Sequence, residues 1–187
     1  MSIECHEQSD TVLVEAAQHG RLDSFGALYQ RYHNPIVALA YARLGDKHAA
    51  EDAAQEVFAI ACRDLRSLRD RAKFGAWLGG ICRNVCRQTL RVKAQTALSP
   101  CGESDSAQGG DPEQQEQWDA VRRAVWQLPA EERELVVMRY FDGFSQARIS
   151  QVLDLTPAAV NGRLTRAKRK IAELLEHRGF GSDSWDA

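Results

Sequence analysis

The sequence predicts an all-α protein: two small helical domains joined by a flexible linker, the C-terminal one a helix-turn-helix. Apolar residues recur at three- and four-residue intervals through most of the chain, and almost no stretch alternates with period two. Residues 96–116, TALSPCGESDSAQGGDPEQQE, are rich in Ser, Gly, Pro and acid and show no apolar periodicity, which marks a linker. Residues 145–171, SQARISQVLDLTPAAVNGRLTRAKRKI, read as a short helix, a tight turn and a second helix with a basic outer face. The domains are therefore 1–95 and 117–187, with 96–116 between them.

Each element has its own signal. Thr11 to His19 forms a short helix ended by Gly20. Asp23 or Ser24 starts a second, in which Phe25, Leu28, Tyr29, Tyr32, Ile36, Leu39 and Ala40 keep helical spacing despite Pro35. Gly45-Asp46 breaks it. A third helix runs from about His48 to Leu65, with Ala54, Val57, Phe58, Ala61 and Leu65 inward and Glu51, Asp52, Gln55 and Glu56 largely outward. A basic connection, Arg66 to Lys73, leads to a fourth helix from about Phe74 to Val92. Phe74, Trp77, Leu78, Ile81 and Val85 share one side of it, while Gly80, Asn84, Arg87 and Arg91 share another. That second side offers an amide and two guanidinium groups, or is simply a solvated face.

Four helices follow the linker: about Gln117 to Gln127, Ala130 to Phe141 behind Pro129, Ser145 to Leu153, and Pro157 to His177. Ser145 caps the third of these, Ile149, Val152 and Leu153 give it an apolar stripe, and Asp154-Leu155 make the turn. Thr156 caps the last helix, and Pro157 takes its first position, where a missing N–H costs nothing. Val160, Leu164, Ala167 and Ile171 form its buried row. Arg163, Arg166, Lys168, Arg169 and Lys170 face out with Asn161 and Thr165, side chains able to reach base edges or phosphates in a major groove. The same run would also suit a solvated basic helix in a bundle.

Charge is segregated along the chain. The net charge is −2, with 27% charged and 44% hydrophobic residues, a soluble globular composition. Arg63 to Lys93 holds nine basic residues against Asp64 and Asp70, and Pro157 to Arg178 six against Glu173 and Glu176. Cys101 to Asp119 holds six acidic residues and no basic one. Two basic surfaces on either side of an acidic strap suit a protein that grips a polyanion twice. About 20 linker residues reach at most roughly 70 Å, and DNA rises about 3.4 Å per base pair, so the domains can meet sites around two helical turns apart.

Other classes find little support. Neither a membrane span nor a signal peptide is visible, so a cytoplasmic location without membrane insertion is expected. No GxxxxGK[ST] loop, GxSxG elbow, HExxH or paired CxxC motif occurs, so no enzymatic activity and no cofactor are expected. Five cysteines, at 5, 62, 82, 86 and 101, do not make a disulfide scaffold or a set of metal ligands, so no metal site is expected. For Cys82 and Cys86, four apart on the fourth helix, packing is the simple reading and redox or metal chemistry the alternative.

With these residues in view, the chain resembles the group IV, or extracytoplasmic-function, sigma factors of bacterial RNA polymerase. FGALYQRYHNPI, AAEDAAQEVFAIAC, KFGAWLGGICRNVCRQTLR and LPAEERELVVMRYFDGFSQARISQVLDLTPAAVNGRLTRAKRKIAELL carry the resemblance in the family order. The resemblance implies a promoter-specificity subunit with core polymerase and promoter DNA as partners. An anti-sigma factor is a further partner it implies. The helix with Asp52, Gln55 and Glu56 would meet the clamp helices of the polymerase's largest subunit, and the second domain its flap. Residues 66 to 77, with Arg71, Lys73 and Trp77, would capture a base unstacked from the minus-ten element, while Asn84, Arg87 and Arg91 lie on its upstream edge. Asn161, Gly162, Arg163, Thr165, Arg166 and Arg169 would read the minus-thirty-five element.

The chain departs from the family pattern at four places. Asn161-Gly162 replaces a Lys-Ser pair, Arg148 stands where an acid is frequent, Asp154 where a turn glycine is common, and Gly79-Gly80 leaves a bare patch on the fourth helix. Two other functions fit part of the chain. An autonomous helix-turn-helix regulator explains 145–171 but not the Arg/Asn face, and a helical adaptor of the anti-sigma kind would bind protein alone.

Overall fold

The computed structural model describes residues 8–96 and 112–177. Residues 97–111 of the linker expected at 96–116, Cys5, Cys101 and residues 178–187 lie outside the described residues. Among these residues the chain is helical. The first unit comprises α1 (Asp10–Gln18), α2 (Leu22–Leu44), α3 (Lys47–Asp64) and α4 (Phe74–Thr96), with 3-10 turns at Leu65–Ser67 and Arg71–Lys73 between the last two. The second comprises α5 (Pro112–Gln127), α6 (Ala130–Val136) running into a π turn at Val137–Phe141, α7 (Gln146–Leu153) and α8 (Pro157–Glu176).

The stops and starts follow local chemistry. Gly45 ends α2 in the left-handed region, φ 73°, which a residue without Cβ adopts at little cost, and its N–H returns to the Tyr41 carbonyl. Asp46 then caps α3, accepting a hydrogen bond from the Ala49 N–H at 2.7 Å. Ser145 and Thr156 cap α7 and α8 as expected, each accepting at 3.2 Å, from Arg148 N–H and Ala159 N–H. Helix α5 starts at Pro112, inside the stretch that composition assigns to the linker. Proline serves the first turn of a helix, and a polar first turn has no apolar spacing to reveal it.

Packing joins what the sequence divides. Leu28, Tyr32, Ile36, Leu39, Val57, Phe58, Phe74 and Leu78 form one buried cluster, and Leu135, Met138, Ile149, Val152, Val160 and Leu164 of the second unit belong to it. A smaller cluster likewise sets Ala42 of α2 among Val125, Leu128, Val136, Val137 and Ala167. Cys82 and Cys86 are buried in the first cluster, where a hydrogen bond between the thiols and then burial raise the Cys82 pKa, so this thiol stays protonated. Cys62 is exposed on α3.

Small residues and one carboxylate make the junction close. A methyl group on Gly79 would sit 2.3 Å from the Val152 carbonyl oxygen, and one on Gly75 would sit 2.9 Å from the Tyr32 ring and 3.1 Å from the Gln151 carbonyl oxygen. Glu134, on α6 and only 1% exposed, accepts hydrogen bonds from Arg43 Nε of α2 at 2.5 Å and Arg83 Nη2 of α4 at 3.1 Å. Two guanidinium partners supply the charge and donors that a buried carboxylate loses with its water. Arg133, its neighbour, donates to the Ala42 carbonyl oxygen at 2.5 Å and lies 4.6 Å over the Trp126 ring, which itself covers Gly45.

Candidate nucleic-acid interface

Three exposed faces stand on this framework. On α3, Ala50, Ala54, Val57, Phe58 and Ala61 turn into the core, and that row leaves Asp52, Gln55 and Glu56 exposed together on the other side. Glu51, next to them, is drawn toward His33 of α2, with 3.6 Å between Oε2 and Nε2.

The connection into α4 is braced from α1. Gln18 donates from Nε2 to the Leu65 and Leu68 carbonyl oxygens at 3.0 and 2.9 Å, which fixes the first 3-10 turn. Arg71 donates from Nε to Gln18 Oε1 and from Nη1 to Glu15 Oε1, both at 2.9 Å. Arg71 thus serves here as a strut of the loop, a role the basic composition of 66–73 did not reveal. Lys73 is exposed and reaches Asp154 of the helix-turn-helix at 3.3 Å. Trp77 is half-buried, its ring 6.0 Å from that of Phe74, which is fully buried.

Further along α4, Leu78, Cys82, Val85 and Cys86 are buried, which turns Asn84, Arg87 and Arg91 outward. Arg87 Nη1 donates to Asn84 Oδ1 at 3.2 Å, so the amide and guanidinium form one polar patch. A methyl group on Gly80 would meet nothing within 4 Å, so the patch extends over bare backbone at its N-terminal end.

On α8 the buried row is Val160, Leu164, Ala167 and Leu175, with Ile171 half-buried. Asn161, Gly162, Thr165, Arg166 and Arg169 are exposed. Arg163 is half-buried and pairs with Glu131 at 3.4 Å, Arg169 with Glu173 at 3.6 Å, and Lys170 with Glu132 at 2.9 Å. Thr165 Oγ1 donates to the Asn161 carbonyl oxygen at 3.0 Å and Arg166 Nε to that of Gly162 at 3.4 Å. The turn before α8 keeps the left-handed geometry at Asp154, φ 55° and ψ 48°, although a non-glycine residue occupies it.

The junction engages residues that sequence reading treated singly. Arg148 of α7 lies 4.7 Å over the ring of Tyr32, whose hydroxyl donates to Asp10. Burial, and then that hydrogen bond, raise the Tyr32 pKa well above the usual phenol range, so it remains a neutral donor. Glu134, Arg43 and Arg83 were not anticipated. Their sequence signal is that Glu134 falls four residues before the buried Met138, just past a first turn that holds Glu131 and Glu132.

Comparison with known proteins agrees with this arrangement. Residues 28–96 match the sigma-70 region 2 family and residues 118–171 the sigma-70 region 4 family. The extracytoplasmic-function RNA polymerase sigma factor SigM of Mycobacterium tuberculosis is 31% identical over 176 residues, which cover 94% of this chain and 89% of SigM. Among solved structures, CnrH in complex with the cytosolic domain of CnrY is similar with a TM-score of 0.61 at 25% identity, over 91% of this chain and 99% of that one. The sigma factor RpoE of Bartonella quintana, solved in complex with the anti-sigma factor NepR, shares the fold at 22% identity and a TM-score of 0.56, over 81% and 96% of the two chains.

Proposed function

Because the chain belongs to the extracytoplasmic-function sigma factors of bacterial RNA polymerase, and is thus an alternative sigma factor directing promoter-specific initiation, we propose how its faces divide that work. The acidic face of α3, Asp52, Gln55 and Glu56, docks on the basic clamp helices of the polymerase, and the second unit meets the flap. Opposite charges there steer the encounter and fix its register. Residues 66 to 77 and the Asn84, Arg87 and Arg91 patch hold the minus-ten element as it opens. Arg71 acts by holding the loop to α1, Lys73 by charge, and Trp77 by lining the space for the extruded base. Extrusion costs a few kcal/mol, which stacking and cationic contacts must offset. Asn161, Gly162, Arg163, Thr165, Arg166 and Arg169 read the minus-thirty-five element from the major groove.

The observation that carries this reading is the set of three exposed faces, one acidic and two basic or amide-bearing, on a chain that matches both sigma regions in order. The work is done in the cytoplasm without chemistry of its own or a cofactor. None of the described helices is long and apolar enough to cross a membrane. An anti-sigma factor is a further expected partner, as RpoE of Bartonella quintana has NepR.

Co-purification with core enzyme followed by promoter-dependent transcription tests the reading. The wild-type chain is expected to do both, while the double variant Asp52→Lys, Glu56→Lys loses core binding and keeps its helical circular dichroism. Undiminished co-purification of the double variant would refute the role of α3. Failure of the wild-type chain to direct transcription from any promoter would refute the reading itself.

A further inference from the structure

The loop proposed for base capture hangs from a helix that lies ahead of both matched regions. Helix α1 ends at Gln18, and the match to sigma-70 region 2 starts at residue 28. The helix is itself fixed, because Leu13 and Val14 are buried in the main cluster and Asp10 accepts hydrogen bonds from Arg31 of α2 and from the Tyr32 hydroxyl. From this post Gln18 commits its whole amide to the loop. Nε2 donates to the Leu65 and Leu68 carbonyl oxygens at 3.0 and 2.9 Å, and Oε1 accepts from Arg71 Nε at 2.9 Å. Carbonyl oxygens only accept and a guanidinium only donates, so one orientation of the amide serves all three. Both 3-10 turns are thereby tied to a single side chain, while Arg66, Ser67, Arg69 and Lys73 stay exposed.

We infer that Gln18 is a positioning residue for promoter opening: it touches no DNA, yet it sets the spacing of the two turns between which the base is captured. The inference rests on the function proposed above. A pocket for an extruded base has to be in place before the base arrives, because ordering the loop afterwards would subtract from the contacts that offset unstacking. The Arg71–Glu15 pair does not suffice as the brace. Its side chains are 35% and 52% exposed, so water and salt screen it. Gln18 is half-buried and neutral, and its bonds to two backbone carbonyls are not of that kind. With Arg71 engaged by Gln18 and Glu15, the loop offers Arg66 and Arg69 as exposed cations for the strand.

Two substitutions separate the ties. Gln18→Ala removes all three bonds without weakening α1, since alanine is the best helix former. Gln18→Glu keeps an acceptor for Arg71 but sets a carboxylate against two carbonyl oxygens. Trypsin cuts after Arg66 and Arg69 when the loop opens locally, at a rate that follows the population of the open form. In the full free chain both variants should be cut there about ten- to a hundredfold faster than wild type, the effect of two or three lost hydrogen bonds. Cleavage after Arg87, within α4, reports global unfolding and should not change. The second readout is holoenzyme on a promoter that the wild-type chain serves, with 2-aminopurine in the non-template strand of the minus-ten element, whose fluorescence rises as the base unstacks. Gln18→Ala should slow that rise by about tenfold or more, and Gln18→Ala with Arg71→Ala should lose little beyond either alone, because the two act as one unit. Arg69→Ala should lower the salt slope of promoter binding by about one, and Gln18→Ala should not.

Unchanged cleavage of the loop in both variants, or equal acceleration after Arg87, would overturn the inference, since Gln18 would then brace nothing or merely hold the fold. Faster loop cleavage with normal unstacking would overturn it too, as would additive losses in the double variant, which would mean that Arg71 acts on DNA by itself. If the loop loosens as expected but wild-type holoenzyme unstacks no base on a promoter it transcribes, the brace stands and the base-capture role proposed for residues 66 to 77 falls.

Discussion

The two helices proposed to face DNA present their cations in different ways. Helix α4 presents Asn84, Arg87 and Arg91 on a face whose internal hydrogen bond is between Arg87 and Asn84, and its opposite side is sunk in the main core. Helix α8 stands its basic residues among carboxylates: Arg163 with Glu131, Arg169 with Glu173, Lys170 with Glu132. A cation already paired must exchange one anion for another when phosphate arrives, which lowers its net gain. Arg166 instead rests on the backbone of its own helix, its Nε donating to the Gly162 carbonyl oxygen, and is exposed. On α8, then, much of the charge run is already matched by carboxylates, and in the proposed reading surface Asn161 and Arg166 are expected to be the sharpest members.

The largest effect is expected where the two units are tied. Glu134→Ala leaves Arg43 and Arg83 facing a buried space, and should cost about 2–3 kcal/mol, discounted from a fully buried pair because both arginines remain partly exposed. Urea unfolding followed by circular dichroism measures it, and an unchanged midpoint would mean that the ties contribute nothing net.

Next, Arg166→Ala should lose about 1–3 kcal/mol of discrimination between an intact and a scrambled upstream element, while Arg163→Ala weakens both alike. Competition binding at fixed salt separates them, and equal discrimination by all three proteins would erase the distinction drawn within α8.

On the other helix, Lys73→Ala with Arg71→Ala and, separately, Asn84→Ala should leave polymerase association unchanged and reduce strand opening. A pre-melted promoter should rescue the basic pair more than Asn84→Ala, because the cost of unpairing has been removed. Permanganate footprinting reads both, and normal opening by every variant would reduce α4 to a solvated surface. The smallest effect belongs to Thr156→Ala, about 1 kcal/mol of stability through the lost cap on Ala159. Thermal unfolding should record it as a modest fall in Tm.

Sequence carried the helices, the caps at Ser145 and Thr156, the turn at Asp154 and the outward position of nearly every proposed contact, because these follow from local periodicity and side-chain geometry. It did not carry the junction. Gly79 read as a bare patch and Arg148 as a mere departure, since nothing in the spacing of α4 indicates that a carbonyl from residue 152 lies against it. The bracing of Arg71 was illegible for a related reason: a basic residue in a basic loop suggests a phosphate, and nothing local points to Gln18 and Glu15, more than fifty positions away. Contacts between distant segments depend on shape, and a one-dimensional pattern records shape poorly.

The way the two units share one hydrophobic cluster has a consequence for cutting the chain. Residues 97–111 join them covalently, and a short tether of this kind sustains an effective concentration on the order of millimolar. Severed there, the halves would carry complementary surfaces: an apolar patch with Arg43 and Arg83 on one, and Ile149, Val152 and the Glu134 carboxylate on the other. Their reunion would then depend on how much of each fragment is present, and a contact internal to one molecule would become a dose-dependent association between two.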